Sequence, residues 1–181
     1  MSNLKELTWE HHKNAERQAF VKELLGGISE ERYATFLFNQ HPQYNIVEMF
    51  AMALGLLDDL PIRRAPAIHE DYQELWGIGN ANQPPLLPVV KEYMNHIMSI
   101  KDDPNKLMAH IYVRHMGDLS GGQMIAKRVP GQGRVYQFDG DQEKIKEAIR
   151  AKINDSMADE AKICFDFATK LFQQMDECKE T

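Results

Sequence analysis

The chain has 181 residues, a formal net charge of −6 and 43% hydrophobic residues. That length and composition allow one globular domain with a sizeable core, and the acidic balance argues against a generic nucleic-acid binder. No run of about 18 apolar residues is present, so no membrane-spanning helix is expected, and the polar ends MSNLKELTWEHH and QQMDECKET read as a soluble, cytoplasmic chain without leader or anchor.

Nearly every segment reads as helix. Leu4, Leu7, His11, Ala15, Phe20 and Leu24 form a first amphipathic run, which Gly26-Gly27 stops. Ser29 is a good N-cap for a second helix. Tyr33, Phe36 and Leu37 carry that helix toward Leu57, and His41-Pro42 either kinks or splits it. Asp58-Asp59-Leu60-Pro61 is a break. A short helix is expected over 68–76, a proline-rich loop over 77–88 and a helix over 89–100. Asp102-Asp103-Pro104 opens the next helix. The loop over 130–140 contains Arg134-Val135-Tyr136-Gln137-Phe138, an alternating but short and isolated strand signal. Helices over 143–153 and 159–175 complete the chain. The pattern predicts one all-α domain over residues 1–181, a bundle of about seven or eight helices. Cys164 and Cys178 fall on the last of these, about 21 Å apart. That is beyond disulfide reach, so free thiols and a reducing compartment are expected.

The segment Arg114-His115-Met116-Gly117-Asp118-Leu119-Ser120-Gly121-Gly122-Gln123 stands out. Three glycines fall within six positions of a helical pattern that Ile111, His115 and Leu119 open and Met124 and Ile125 continue. Each costs about 1 kcal/mol of helix propensity against alanine, roughly 3 kcal/mol in all. Gly117 and Gly121, at i and i+4, share a face and leave a bare strip of backbone on which a flat object can lie. A close helix crossing would also use glycines. Asp118 and Ser120 weigh against a dry crossing, because buried polar groups need partners.

Among seven histidines, adjacent His11 and His12 point about 100° apart on a helix and cannot share a metal. His110 and His115 are also poorly spaced. Neither HExxH nor a Cys/His zinc spacing occurs, so no dedicated zinc site is expected. His12 has small Ala15 at i+3, Glu16 at i+4 and Lys5 two turns back, about 10.5 Å along one helix. Imidazole, clearance and a distant cation on one face suit an iron porphyrin; an amphipathic helix with a solvated lysine is the plainer reading. Lys146 and Arg150, at i and i+4, form a basic face, and Phe165 and Phe172 lie two turns apart on one face of the last helix.

Together these pieces resemble heme oxygenase, of the biliverdin-producing kind and the soluble bacterial, plant-like or phage-like type. The glycine segment from Gly117 to Gln123, preceded by Tyr112 and Arg114, is similar to the family signature. His12-Lys13-Asn14-Ala15-Glu16 is similar to its proximal-histidine motif. The stretch from Phe20 to Gly27 continues the likeness, the last two helices match more loosely, and 61–105 matches weakly. The resemblance implies heme b held between an N-terminal proximal helix and the glycine-bearing distal helix. It implies His12 as axial iron ligand with Glu16 beside it, and Gly117, Ser120, Gly121 and Gly122 against the heme. Asp118 and Arg114 would organise distal water. Lys5, Tyr112, Lys146 and Arg150 would hold the propionates, and Phe165 and Phe172 would form pocket wall. The implied reaction opens heme to biliverdin, of the IX-alpha isomer, with carbon monoxide and ferrous iron, using O2 and external electrons. The chain carries no nicotinamide, flavin or iron–sulfur fingerprint. The implied donor is therefore ferredoxin or a similar soluble acidic protein, docking on Lys13, Arg17, Lys22, Lys127, Arg128, Lys146 and Lys152. A bilin reductase is the expected downstream partner. His115, Met116 and Ala168 depart from the family's usual Tyr, Leu and Asn. A non-catalytic heme carrier or sensor on the same scaffold, or a purely structural bundle, are the competing readings.

Overall fold

A computed structural model describes residues 2–77 and 81–179. Among them there is no strand. The first predicted run is three helices, α1 (Leu4–Leu7), α2 (Trp9–Glu16) and α3 (Ala19–Leu25). Thr8 breaks the first two apart, with φ −105° and ψ 4°. Its hydroxyl donates to the Leu4 carbonyl at 2.8 Å, offering the backbone an alternative to a straight helix. The two-turn spacing of Lys5 from His12 along one continuous helix is therefore corrected: they stand on separate helices.

α4 (Glu30–Ala53) begins as expected, with the Arg32 amide donating to the Ser29 hydroxyl at 3.2 Å. It runs unbroken through Pro42. Neighbouring side-chain amides turn back onto the backbone here: Asn39 donates to Thr35 O at 2.8 Å and Gln43 to Asn39 O at 2.9 Å. α5 (Ala65–Trp76), α6 (Pro88–Ile100) and α7 (Pro104–Leu119) follow, each starting with a proline in the first turn, where no donor is wanted. Asp103 caps α7 by accepting from the Lys106 amide at 3.1 Å. The glycine segment is not one helix. α7 ends at Leu119, Ser120 turns out of helical geometry, and α8 (Gly122–Ala126) starts afresh.

The alternating stretch after it is a 3-10 helix, Arg134–Tyr136. Arg64 holds it, its Nη1 donating to the carbonyls of Val135 at 3.0 Å and Gln137 at 2.6 Å. Asp71 accepts from the Val135 amide at 3.1 Å. These polar partners replace the ladder that a lone strand would lack. α9 (Gln142–Arg150), a second 3-10 turn (Asp155–Met157) and α10 (Ala158–Cys178) complete the chain. Both cysteines are on α10 and unbridged.

α10 packs against α2, α3, α6 and α7, while α4 packs against α5, α6 and α7. One core cluster gathers Leu4, Val47, Ile97, Ile111 and Ile149; a second gathers Phe20, Tyr33, Leu37, Val90 and Leu171. No helix among the described residues is long and apolar enough to cross a membrane.

Candidate functional site

α10 is the wall shared by α2 and α7, so it brings the histidine motif and the glycine motif to one region. The His12 ring stacks on Phe165 of α10, with centroids 4.9 Å apart and planes 14° from parallel. Its Nε2 lies 2.8 Å from the Glu16 carboxylate. A carboxylate only accepts, so that nitrogen is the donor in this pair. The side chain is 36% exposed, which leaves it reachable. His11 is committed elsewhere, its Nδ1 2.7 Å from Asp166.

The glycines divide into two kinds. None of Gly117, Gly121 and Gly122 has a positive φ, so backbone conformation does not require glycine at any of them. A Cβ on Gly117 would meet open space, and one on Gly121 only the Gly117 carbonyl oxygen at 3.8 Å. A Cβ on Gly122 would sit 2.7 Å from the Tyr136 ring. The bareness of Gly122 thus serves packing, while that of Gly117 and Gly121 serves a surface. Ser120, exposed at the end of α7, borders the same surface.

Asp118 sits half-buried beside that strip. The Tyr44 hydroxyl donates to its Oδ2 at 2.8 Å. Burial pushes its carboxyl up to about 6, although His115, the Tyr44 hydrogen bond, Arg64 and Arg114 pull the other way. Arg114 does not touch Asp118 directly. It is buried, with Nε on the Tyr93 hydroxyl at 3.0 Å and Nη2 on Gln43 Oε1 at 2.8 Å. Its guanidinium lies 4.2 Å from the Tyr93 ring and 5.2 Å from the Tyr44 ring, a desolvated cation–π arrangement. It therefore acts on Asp118 by its charge and by its place against the Tyr44 ring. His115 faces Tyr44 edge-on at 5.4 Å and pairs with buried Glu48 at 2.9 Å. Glu48 also accepts the Arg64 and Ala65 amides at 2.6 and 3.0 Å. The departure at His115 is thus an acid–base pair with every polar atom matched, in place of a phenol.

The cationic candidates are less concentrated. α9 packs on α7 and brings Arg150 close enough to offset part of the upward push that burial gives Tyr112. Lys146 bonds Glu143 at 3.2 Å. Lys5 is exposed on α1, which Asp155 ties to the turn following α9 by accepting the Asn3 amide at 2.7 Å. Phe172 packs with Phe20 and Phe36, at 5.9 and 6.3 Å, and is core as much as wall. Ala168 lies between the two phenylalanines on α10, half-buried, along with Met116 on α7. Of the basic docking residues, Lys13 lies 4.8 Å over the Trp9 ring and Lys152 bonds Asp59 at 3.0 Å.

Sequence reading missed the partners behind Asp118: Gln43, Tyr44, Glu48, Arg64 and Tyr93. A signal existed. Asn39, Gln43 and Glu48 are polar residues within a helix whose neighbours are apolar, and all three are fully buried.

Among the described residues the fold is all-helical, and it sets an accessible imidazole and a bare glycine strip on helices that share one wall. A heme oxygenase family model matches residues 1–174. Heme oxygenase of Rhodella violacea is 28% identical over 96% of this chain and 85% of its own. Heme oxygenase 2 of a Synechocystis strain is 30% identical over 86% and 71%. The solved heme oxygenase of Leptospira interrogans superposes with a TM-score of 0.80 at 29% identity, covering 93% of this chain and 96% of that one. Heme oxygenase-1 of Synechocystis, solved with heme, has the same fold, with a TM-score of 0.82 at 24% identity. The chain belongs to the heme oxygenase family.

Proposed function

We propose that this heme oxygenase opens heme b to biliverdin IX-alpha, carbon monoxide and ferrous iron, with O2 and electrons from an external donor. The observation that carries the reading is Gly117: a glycine of ordinary backbone conformation, facing open space, one residue from a perturbed aspartate. Nothing in folding asks for a glycine there; a planar ligand lying on the backbone does. Heme, when bound, would supply the redox-active iron for the oxygen chemistry and is itself the substrate.

The chain's own residues then have distinct tasks. Glu16 pairs with His12 Nε2 and orients the ring, leaving Nδ1 to serve as the ligand. Gly117 and Gly121 admit close backbone approach, with Ser120 and Gly122 completing the turn beneath. Asp118, held by Tyr44, keeps a proton-exchanging group next to the strip; a carboxyl near 6 lies close to working pH, where proton transfer is most effective. Arg114 stiffens Tyr44 and so positions Asp118. Lys5, Tyr112, Lys146 and Arg150 hold the propionates by charge-assisted bonds, and Phe165 and Phe172 exclude water.

The donor is a ferredoxin-like acidic protein, steered to exposed Arg17, Lys22, Lys127 and Arg128 with Lys13, Lys146 and Lys152. The bilin passes to a reductase.

Hemin titration followed by ferredoxin, its reductase and NADPH in air tests this. The Soret band is expected to disappear and a bilin spectrum to replace it, at a rate that falls as salt screens docking, with a Debye length of about 8 Å at physiological strength. Stable heme through that protocol identifies a carrier or sensor instead.

Two glycine replacements separate surface from packing. Gly117→Ala leaves heme-free stability unchanged or raises it by up to about 1 kcal/mol, yet weakens heme binding at least tenfold, a loss of about 1.4 kcal/mol. Gly122→Ala loses about 1–3 kcal/mol of stability through overpacking against Tyr136. Denaturant melts and hemin titrations of the two variants measure both. Unweakened heme binding in Gly117→Ala removes the strip as the contact surface.

A further inference from the structure

We propose that His96, His110 and Glu160 form a site for a divalent cation of the zinc class, separate from the heme cleft. The three residues come from α6, α7 and α10. They are 50 and 64 positions apart from Glu160 in sequence, which is why local spacing shows no metal motif. Both imidazoles direct Nε2 at the same oxygen, Oε1 of Glu160, at 2.5 Å from His96 and 2.8 Å from His110. All three donor atoms lie within 4.8 Å of one another.

The set is enclosed but accessible. The His110 side chain is fully buried and Glu160 nearly so, while that of His96 is 23% exposed. Entry is therefore past His96. Around a tetrahedral cation with bonds near 2.0–2.1 Å, donor atoms stand about 3.3 Å apart. The two nitrogen–oxygen spacings need to open by about 0.5–0.8 Å, while the nitrogen–nitrogen spacing, within 4.8 Å, has to settle near the same value. Two imidazoles and one carboxylate leave a fourth position for water, the donor count of an open zinc site. The nitrogen donors disfavour magnesium and calcium, which take oxygen.

A second shell is already in place. The Tyr93 hydroxyl lies 2.6 Å from His110 Nδ1 and accepts from Arg114 Nε at 3.0 Å. Without a cation, Tyr93 donates to Nδ1, and the His110 proton sits on Nε2, facing Glu160. With a cation on Nε2, the proton moves to Nδ1 and donates to Tyr93, whose own hydrogen turns toward Cys164 Sγ, 4.0 Å away. Both arrangements keep the buried polar atoms satisfied. Such orientation of a ligating histidine from behind is what holds metal sites together. An occupied site would tie together α6, α10 and α7, the helix that carries Asp118.

Calorimetric titration of the full chain with Zn2+, heme-free and heme-loaded, tests the proposal. Co2+ spectra report geometry. The expected result is one equivalent bound in both forms, tetrahedral Co2+ bands and a raised melting temperature. His96→Ala, which changes a half-buried residue and leaves heme binding intact, should weaken that equivalent by more than about tenfold. Glu160→Gln should do likewise if it folds. His69→Ala alters the separate His41–His69 pair, with rings 5.4 Å apart, and should leave the equivalent unchanged. Absence of a stoichiometric Zn2+ site, its survival in His96→Ala, or its loss in His69→Ala overturns the assignment.

Discussion

Replacing His12 with alanine is expected to abolish the histidine-ligated heme spectrum and to lower biliverdin formation by about 100-fold or more, roughly 2.7 kcal/mol of lost transition-state stabilisation. Added imidazole should restore part of both. Folding should hardly change, because the ring is 36% exposed and its contacts are the Phe165 face, the Trp9 edge and a half-exposed Glu16. Surface changes of this kind usually stay within about 0.5 kcal/mol. His11→Ala is the matched control. Its imidazole is spent on Asp166, so that variant keeps the native spectrum. Absorption spectra and turnover of both variants, with and without imidazole, decide the matter. A native spectrum in His12→Ala moves the ligand to His11.

Asp118 yields the other large effect, and it carries a sign that can be checked twice. Burial pushes its carboxyl up to about 6 in the folded chain, above its ordinary value of 3.8, so the folded state holds this proton more tightly than the unfolded one. The stability this contributes is full below the unfolded value and is lost as pH rises through 6. Asp118→Asn should therefore be more stable than the parent at pH 8, by about 1–2 kcal/mol once partial exposure is discounted. The advantage should vanish near pH 4. Turnover should move the opposite way. Biliverdin formation in Asp118→Asn or Asp118→Ala falls about 100-fold, the low end of positioned proton transfer. Heme still binds, and peroxide-driven oxidation of a dye rises. Melts across pH and product spectra at pH 7.5 measure the two halves. Unchanged biliverdin yield removes Asp118 from the proton path.

Legibility in the sequence followed the range of the physics. Helix existence was readable wherever one helix carried its own signal, as with Ser29 capping α4 or Pro104 opening α7. Breaks set by a single side chain were not: Thr8 splits α1 from α2 with its hydroxyl, and Ser120 splits α7 from α8. The strand-like 134–138 folds as a 3-10 helix because Arg64 and Asp71, some seventy positions away, claim its backbone. At the candidate site, the pairing of His12 with Glu16 and the shared face of Gly117 and Gly121 were legible because each pair lies about one turn apart. The supports of Asp118 come from α4 and α6 as well as α7, and only tertiary packing unites them. Gly122 shows the limit most sharply. Its motif is continuous with Gly121, yet its partner is Tyr136, in a loop whose shape no local pattern encodes.

The shared wall also has a consequence in time. His12 is made about 150 residues before Phe165, on which its ring lies. Chains grow N-terminus first, at roughly 5–20 residues per second, so the histidine waits about ten seconds or more for its backing. During that interval the nascent chain can display a histidine and a glycine strip but no wall between them, and closing so long a loop is slow compared with winding a helix. Cofactor capture on the ribosome is thereby disfavoured. A truncated product of interrupted synthesis would leave heme alone rather than hold it in a half-built, redox-active cleft.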